Sequence, residues 1–122
     1  MEWIKALDRD HLEAGEREVV EIGDHKVLVL EHDGQIYAML NSCPHMGISL
    51  KRGEITKDDD IVCPFHHSVF DLETGAVKAW APWPPVLGKL LGAVKPKQPL
   101  PVYATKVEDG AIWIGLNGSG ED

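Results

Sequence analysis

Twice in this chain an Asp-Gly pair stands between two runs of strand-forming residues. The first stretch is VLVLEHDGQIYAML, residues 27–40, and the second is YATKVEDGAIWIGL, residues 103–116. β-Branched and aliphatic residues suit a pleated, half-buried surface, and Asp-Gly accepts the positive φ that a two-residue hairpin loop demands. Each stretch is therefore expected to form a β-hairpin, with strands at 27–30 and 36–40 in the first. No wider self-similarity accompanies the pair, so this is repeated hairpin chemistry and not a duplicated domain. A further strand is expected from about 17 to 22, after one helical turn in DRDHLEAG that ends near Gly15. Between the hairpins, DIVCPF, SVFDL and AVKAW read as short strands separated by turn signals such as Thr74-Gly75. The expected fold is all-β, an antiparallel β sandwich with an irregular central segment.

A length of 122 residues allows one core but not two, so a single domain over 1–122 is expected. With 43% hydrophobic and 26% charged residues, the composition is that of a soluble globular protein. A formal net charge of −8 argues against nucleic acid and anionic membranes as partners, and leaves a basic protein partner open. The first sixteen residues, MEWIKALDRDHLEAGE, contain no apolar signal-peptide core. No run approaches the roughly 20 apolar residues of a membrane span. The expectation is a soluble, cytoplasmic protein without a membrane anchor. KDDD at 57–60 reads as a solvated loop, and His11, His25 and His32 are assigned no role.

The chemistry lies in the irregular centre. The only cysteines are Cys43 and Cys63, and nothing marks the chain as secreted, so metal binding or reactivity moves ahead of a disulfide. Each cysteine opens a short box, CPHMG at 43–47 and CPFHH at 63–67, with a histidine two or three residues on. Two such turns brought together supply two thiolates and two imidazoles. Four ligands of this kind fit a tetrahedral zinc site or a 2Fe–2S centre with two cysteines on one iron and two histidines on the other.

The residues around the boxes separate these readings. CPHMG followed by CPFHHSVFDLETG resembles the paired ligand boxes of Rieske iron–sulfur proteins, and the Phe-Asp-Leu-x-Thr-Gly continuation is similar to that of Rieske ferredoxins. GQIYAML before the first box and VEDGAIWI near the end extend the resemblance across nearly the whole chain. It implies a Rieske-type sandwich with a cluster-binding subdomain formed by two loops within about 42–82. It also implies one 2Fe–2S cluster, with Cys43 and Cys63 on the inner iron and His45 and His66 on the outer iron. His67 stands where the family usually has glycine. Either the loop here is less demanding, or histidine tolerates the glycine conformation.

The implied function is one-electron transfer from a reductase, often a flavoprotein, to an oxygenase or another redox enzyme. The chain would then be an electron-transfer component and not an enzyme by itself. Alternatives are a permanent small subunit of a redox enzyme, such as an assimilatory nitrite reductase, and a non-redox zinc module. High-potential Rieske proteins carry a loop-bracing disulfide, but its positions here are Ile48 and Phe65. Ser68 matches their cluster-facing serine, whereas Phe70 replaces their tyrosine. A potential in the lower part of the Rieske range is expected. The proline-rich stretch at about 80–101 is longer than usual for compact Rieske ferredoxins and is expected to form a lid or a docking surface.

Overall fold

In this computed structural model the structure describes residues 2–12, 15–44, 47–64, 67–80 and 98–116. In chain order the elements are β1 (Glu2–Asp8), a 3-10 turn (Arg9–His11), β2 (Arg17–Ile22), β3 (His25–His32), β4 (Gln35–Leu40), β5 (Glu54–Ile55), β6 (Asp60–Val62), β7 (Val69–Asp71), β8 (Val77–Ala79), β9 (Val102–Glu108) and β10 (Ala111–Leu116). Every pairing among them is antiparallel. The all-β antiparallel expectation is met. Among the described residues no helix is long and apolar enough to cross a membrane. The chain divides into two compact units, one of Met1–Leu40 with Pro101–Asp122 and one of Asn41–Leu100.

The first unit is a six-stranded sheet in the order β1-β10-β9-β4-β3-β2. Both expected hairpins are present. Asp33 and Gly34 have φ of 52° and 82°, and Asp109 and Gly110 have φ of 54° and 72°. Positive φ at both loop residues is the type I′ geometry, whose twist matches that of the flanking strands. One core cluster contains Ile22 of β2, Val27 and Val29 of β3, Ala38 of β4, Tyr103 of β9, and Ile112 and Ile114 of β10. Ile4 of β1 packs against the same cluster. A flat sheet cannot bring both its edges to one cluster, so this sheet curls around its own core. Strand β1 was not expected from sequence. Its Glu, Lys, Ala and Leu favour helix locally, and it is a strand because β10 supplies a ladder from Glu2↔Leu116 to Asp8↔Ala111.

Glu31 is a buried carboxylate in this unit. Its Oε1 accepts the Gly15 N–H and its Oε2 the Gly34 N–H, each at 2.8 Å. One side chain thus ties the turn before β2 to the β3–β4 hairpin loop.

The second unit holds a smaller sheet in the order β5-β6-β7-β8. Leu50, Ile61, Phe70, Leu72 and Leu100 are fully buried, and Phe70 meets Trp80 edge-on with centroids 6.5 Å apart. The Asp-Leu-Glu-Thr-Gly run has a structural reason. Asp71 Oδ1 accepts the N–H groups of Glu73 and Thr74, Thr74 Oγ1 accepts that of Ala76, and Gly75 turns with φ 78°. The turn delivers the chain into β8. Residues 57–59 are exposed as expected of a solvated loop, but Asp60 is not: it opens β6 and is buried.

Asp60 faces Asp71 directly across the β6–β7 ladder, a like-charge pair that would destabilise the sheet by itself. Lys78 of β8 resolves it, with Nζ 2.6 Å from Asp60 Oδ1 and 3.6 Å from Asp71 Oδ2. Contact with Asp60 holds the Lys78 ammonium above its ordinary range. The Thr74 N–H, then that of Glu73, and finally the Lys78 charge hold the Asp71 carboxyl below its ordinary value. A depressed carboxyl stabilises the fold above its unfolded pKa of about 3.9 and loses that contribution as pH falls through the lower folded value. Lys78→Met is therefore expected to lower the melting temperature most at neutral pH. The deficit should shrink as pH falls through the lowered folded value of Asp71, which parallel thermal melts of the two proteins from pH 7 down to about pH 2 would check.

Candidate metal centre

Both cysteines lie in the second unit, each at the mouth of a loop. Cys43 follows β4 by three residues, and Cys63 comes directly after β6. Their exposures are 1% and 2%, and neither is in a disulfide. Burial excludes solvent from the sulfurs and suits thiols that serve as soft metal donors.

The two loops share one backbone frame. The Cys43 N–H donates to the Ile48 carbonyl at 2.8 Å, and the Gly47 N–H donates back to the Cys43 carbonyl at 2.7 Å. In the second loop the Cys63 N–H donates to the Ser68 carbonyl at 2.8 Å, and the His67 N–H donates to the Cys63 carbonyl at 3.1 Å. The offsets from each cysteine are the same, five residues and four. Gly47 and His67 are therefore equivalent, and both lie in the left-handed region with φ of 74° and 66°.

This decides between the two readings of position 67: the loop keeps the glycine conformation, and histidine adopts it. Among the described residues, the nearest atom a Cβ at Gly47 would meet is Ser42 Oγ at 3.8 Å. By analogy, the demand at this loop position is one of backbone angle and not of space. Histidine is among the residues that enter the left-handed region at moderate cost. His67 is exposed.

The remaining sequence candidates, His45 and His66, lie outside the described residues, as do Met46 and Phe65. Most of the proline-rich stretch, at 81–97, also lies outside them. Ser68 is fully buried, and its carbonyl belongs to the second loop's frame.

The first loop has a brace that its sequence did not reveal. Asn41 Oδ1 accepts the Leu50 N–H at 2.9 Å and the Ser49 hydroxyl at 3.2 Å. It clamps the two stems of the loop together. An asparagine just after a strand reads as an ordinary turn residue, so no local signal distinguished it.

Comparison with known proteins agrees with this geometry. The chain is 35% identical over 75 residues to the alkene monooxygenase system ferredoxin component of Xanthobacter autotrophicus (strain ATCC BAA-1158 / Py2), a match that covers 62% of each chain. It is 31% identical over 117 residues to the biphenyl dioxygenase ferredoxin subunit of Pseudomonas sp. (strain KKS102), covering 96% of this chain and 94% of that one. Among solved structures, the ferredoxin of carbazole 1,9a-dioxygenase from Nocardioides aromaticivorans IC177 has the same fold. Its TM-score is 0.74 at 23% identity, covering 96% of this chain and 100% of that one. The model of the Rieske [2Fe-2S] domain matches residues 2–103, a span that takes in both cysteine loops and the strands that carry them. The two buried cysteines lie within that span, and the chain belongs to the Rieske [2Fe-2S] domain family.

Proposed function

We propose that this chain is the ferredoxin of an oxygenase system, a one-electron carrier between a reductase and an oxygenase. The observation that carries this reading is the pair of buried cysteines, neither in a disulfide, on loops of identical hydrogen-bond frame, in a chain matched over 96% of its length by a dioxygenase ferredoxin subunit. The donor set fits a 2Fe–2S cluster. Cys43 and Cys63 would hold the inner iron, and His45 and His66 the outer iron. When bound, the cluster supplies a centre that takes up and releases one electron. The protein's part is to bury the cysteines and fix the loops by backbone hydrogen bonds.

The donor is proposed to be a flavoprotein reductase and the setting the cytoplasm. A single functional domain over 1–122 is part of the same reading. An acidic surface, with a net charge of −8, would steer the carrier toward basic patches around a partner's redox centre.

Purified protein should be coloured and contain two irons and two acid-labile sulfides per chain. It should also give a Rieske paramagnetic resonance signal when reduced. Zinc without iron, in protein made with cluster assembly intact, would overturn the reading.

The midpoint potential is expected below about +200 mV, in the lower part of the roughly −150 to +300 mV Rieske range. Phe70 is fully buried and has no hydroxyl to donate toward the cluster, so one stabiliser of the reduced state is missing. A redox titration checks the value.

A further inference from the structure

Gly53 closes a turn between the first loop and β5, its N–H donating to the Leu50 carbonyl at 2.9 Å. It is buried, and its φ is not in the left-handed region, so backbone freedom does not explain a glycine here. Space does. A Cβ at this position would lie 2.4 Å from the Val62 carbonyl oxygen and 3.1 Å from both the Leu50 carbonyl oxygen and Ile61 Cγ1. Two of these three obstacles are backbone atoms, which cannot rotate away.

The neighbours give the close approach its meaning. Val62 immediately precedes Cys63. Leu50 ends the stem that Asn41 clamps and that the Cys43–Ile48 hydrogen bond closes. Across the β5–β6 ladder Glu54, the residue after Gly53, pairs with Val62, the residue before Cys63. The backbone leaving the first cysteine loop thus rests against the backbone entering the second, with no side chain between.

We propose that Gly53 is a positioning residue that sets the spacing of the two cysteine loops, and through it the fit of the cluster. The proposal rests on the ligand assignment above. A side chain at 53 would push Val62, and Cys63 with it, away from the first loop. The cluster would then be bound by loops set too far apart, with altered bonding at the Cys63 sulfur. General destabilisation of the domain would not have that signature.

The test compares holoprotein carrying Gly53→Ala with the parent and with Gly34→Ala. Gly34 has φ 82° and open space around a Cβ, so alanine there strains a turn without any clash. Three quantities are read: the resonance g values of the reduced protein, the midpoint potential, and the rate of bleaching by an iron chelator well below the melting temperature. Gly53→Ala is expected to shift the g values and potential and to bleach about tenfold faster, the scale seen when outer-shell support of a metal is lost. Gly34→Ala is expected to melt earlier while keeping the parent's spectrum and bleaching rate.

A Gly53→Ala protein with the parent's spectrum, potential and bleaching rate overturns the proposal. Should that variant not accumulate folded protein, Asn41→Ala loosens the same stem without overpacking. Faster bleaching supports loop spacing, and an unchanged rate overturns it. A parent protein lacking the Rieske signal would instead count against the ligand assignment.

Discussion

His66→Ala is expected to yield a protein without a stable cluster, while His67→Gly keeps the cluster and folds more stably than the parent. Both positions carry histidine in CPFHH, yet the structure gives position 67 a backbone task. Its N–H returns to the Cys63 carbonyl, as Gly47 returns to Cys43, and its φ is 66°. Left-handed backbone costs an ordinary L-residue about 1–2 kcal/mol. Glycine removes that cost but gives back part of the gain through the greater freedom of its unfolded chain. A net gain of roughly 0.5–1 kcal/mol is expected for His67→Gly.

His66→Ala removes one of the two proposed imidazoles from the outer iron. His67 already has a backbone role, its N–H donating to the Cys63 carbonyl. Iron and sulfide content, the reduced-state resonance spectrum and a thermal melt of each variant separate the two outcomes. Loss of the cluster in His67→Gly with retention in His66→Ala would reverse the assignment.

The second large effect is on the stability of the first unit, outside the one that carries the cysteine loops. Glu31→Ala strips two turns of their common acceptor, leaving the Gly15 and Gly34 N–H groups without it. Hydrogen bonds to a charged group contribute about 1.5–3 kcal/mol each, and partial exposure of the turns lets water recover some of the loss. The expected cost is about 3 kcal/mol, or a fall in melting temperature on the order of 10 °C for a chain of this size. Glu31→Gln should fall between, since the amide keeps one acceptor oxygen and loses the charge. The resonance spectrum of the folded fraction should match the parent's in both variants. A melting temperature within a degree or two of the parent's for Glu31→Ala would show that water fully replaces the carboxylate.

The comparison of sequence with structure turns on whether a feature is local. Asp33-Gly34 and Asp109-Gly110 specify their hairpins because a two-residue loop needs positive φ at adjacent positions, a demand written in the residues themselves. Strand β2 at Arg17–Ile22 was legible for a similar reason, since it carries its own β-branched run. Strand β1 was not, because its residues favour helix and only the distant β10 makes them a strand. Asp60 looked like one more acid in a solvated run until β7 and β8 brought Asp71 and Lys78 beside it.

At the candidate site the same division holds. The sequence by itself supplied the proposed ligand set, because thiols and imidazoles at Cys-x-His and Cys-x-x-His spacing can be read one residue after another. The doubled histidine was only half legible. Spacing favoured His66, but it took the loop frame to show that His67 does the backbone work of Gly47. Gly53 and Asn41 were invisible, since one matters for an atom that is missing and the other for a hydrogen bond across the loop it closes. Ligand type is a property of side chains and survives in the sequence. The spacing between two loops is a property of backbones that meet only after folding, so only the tertiary structure decided it.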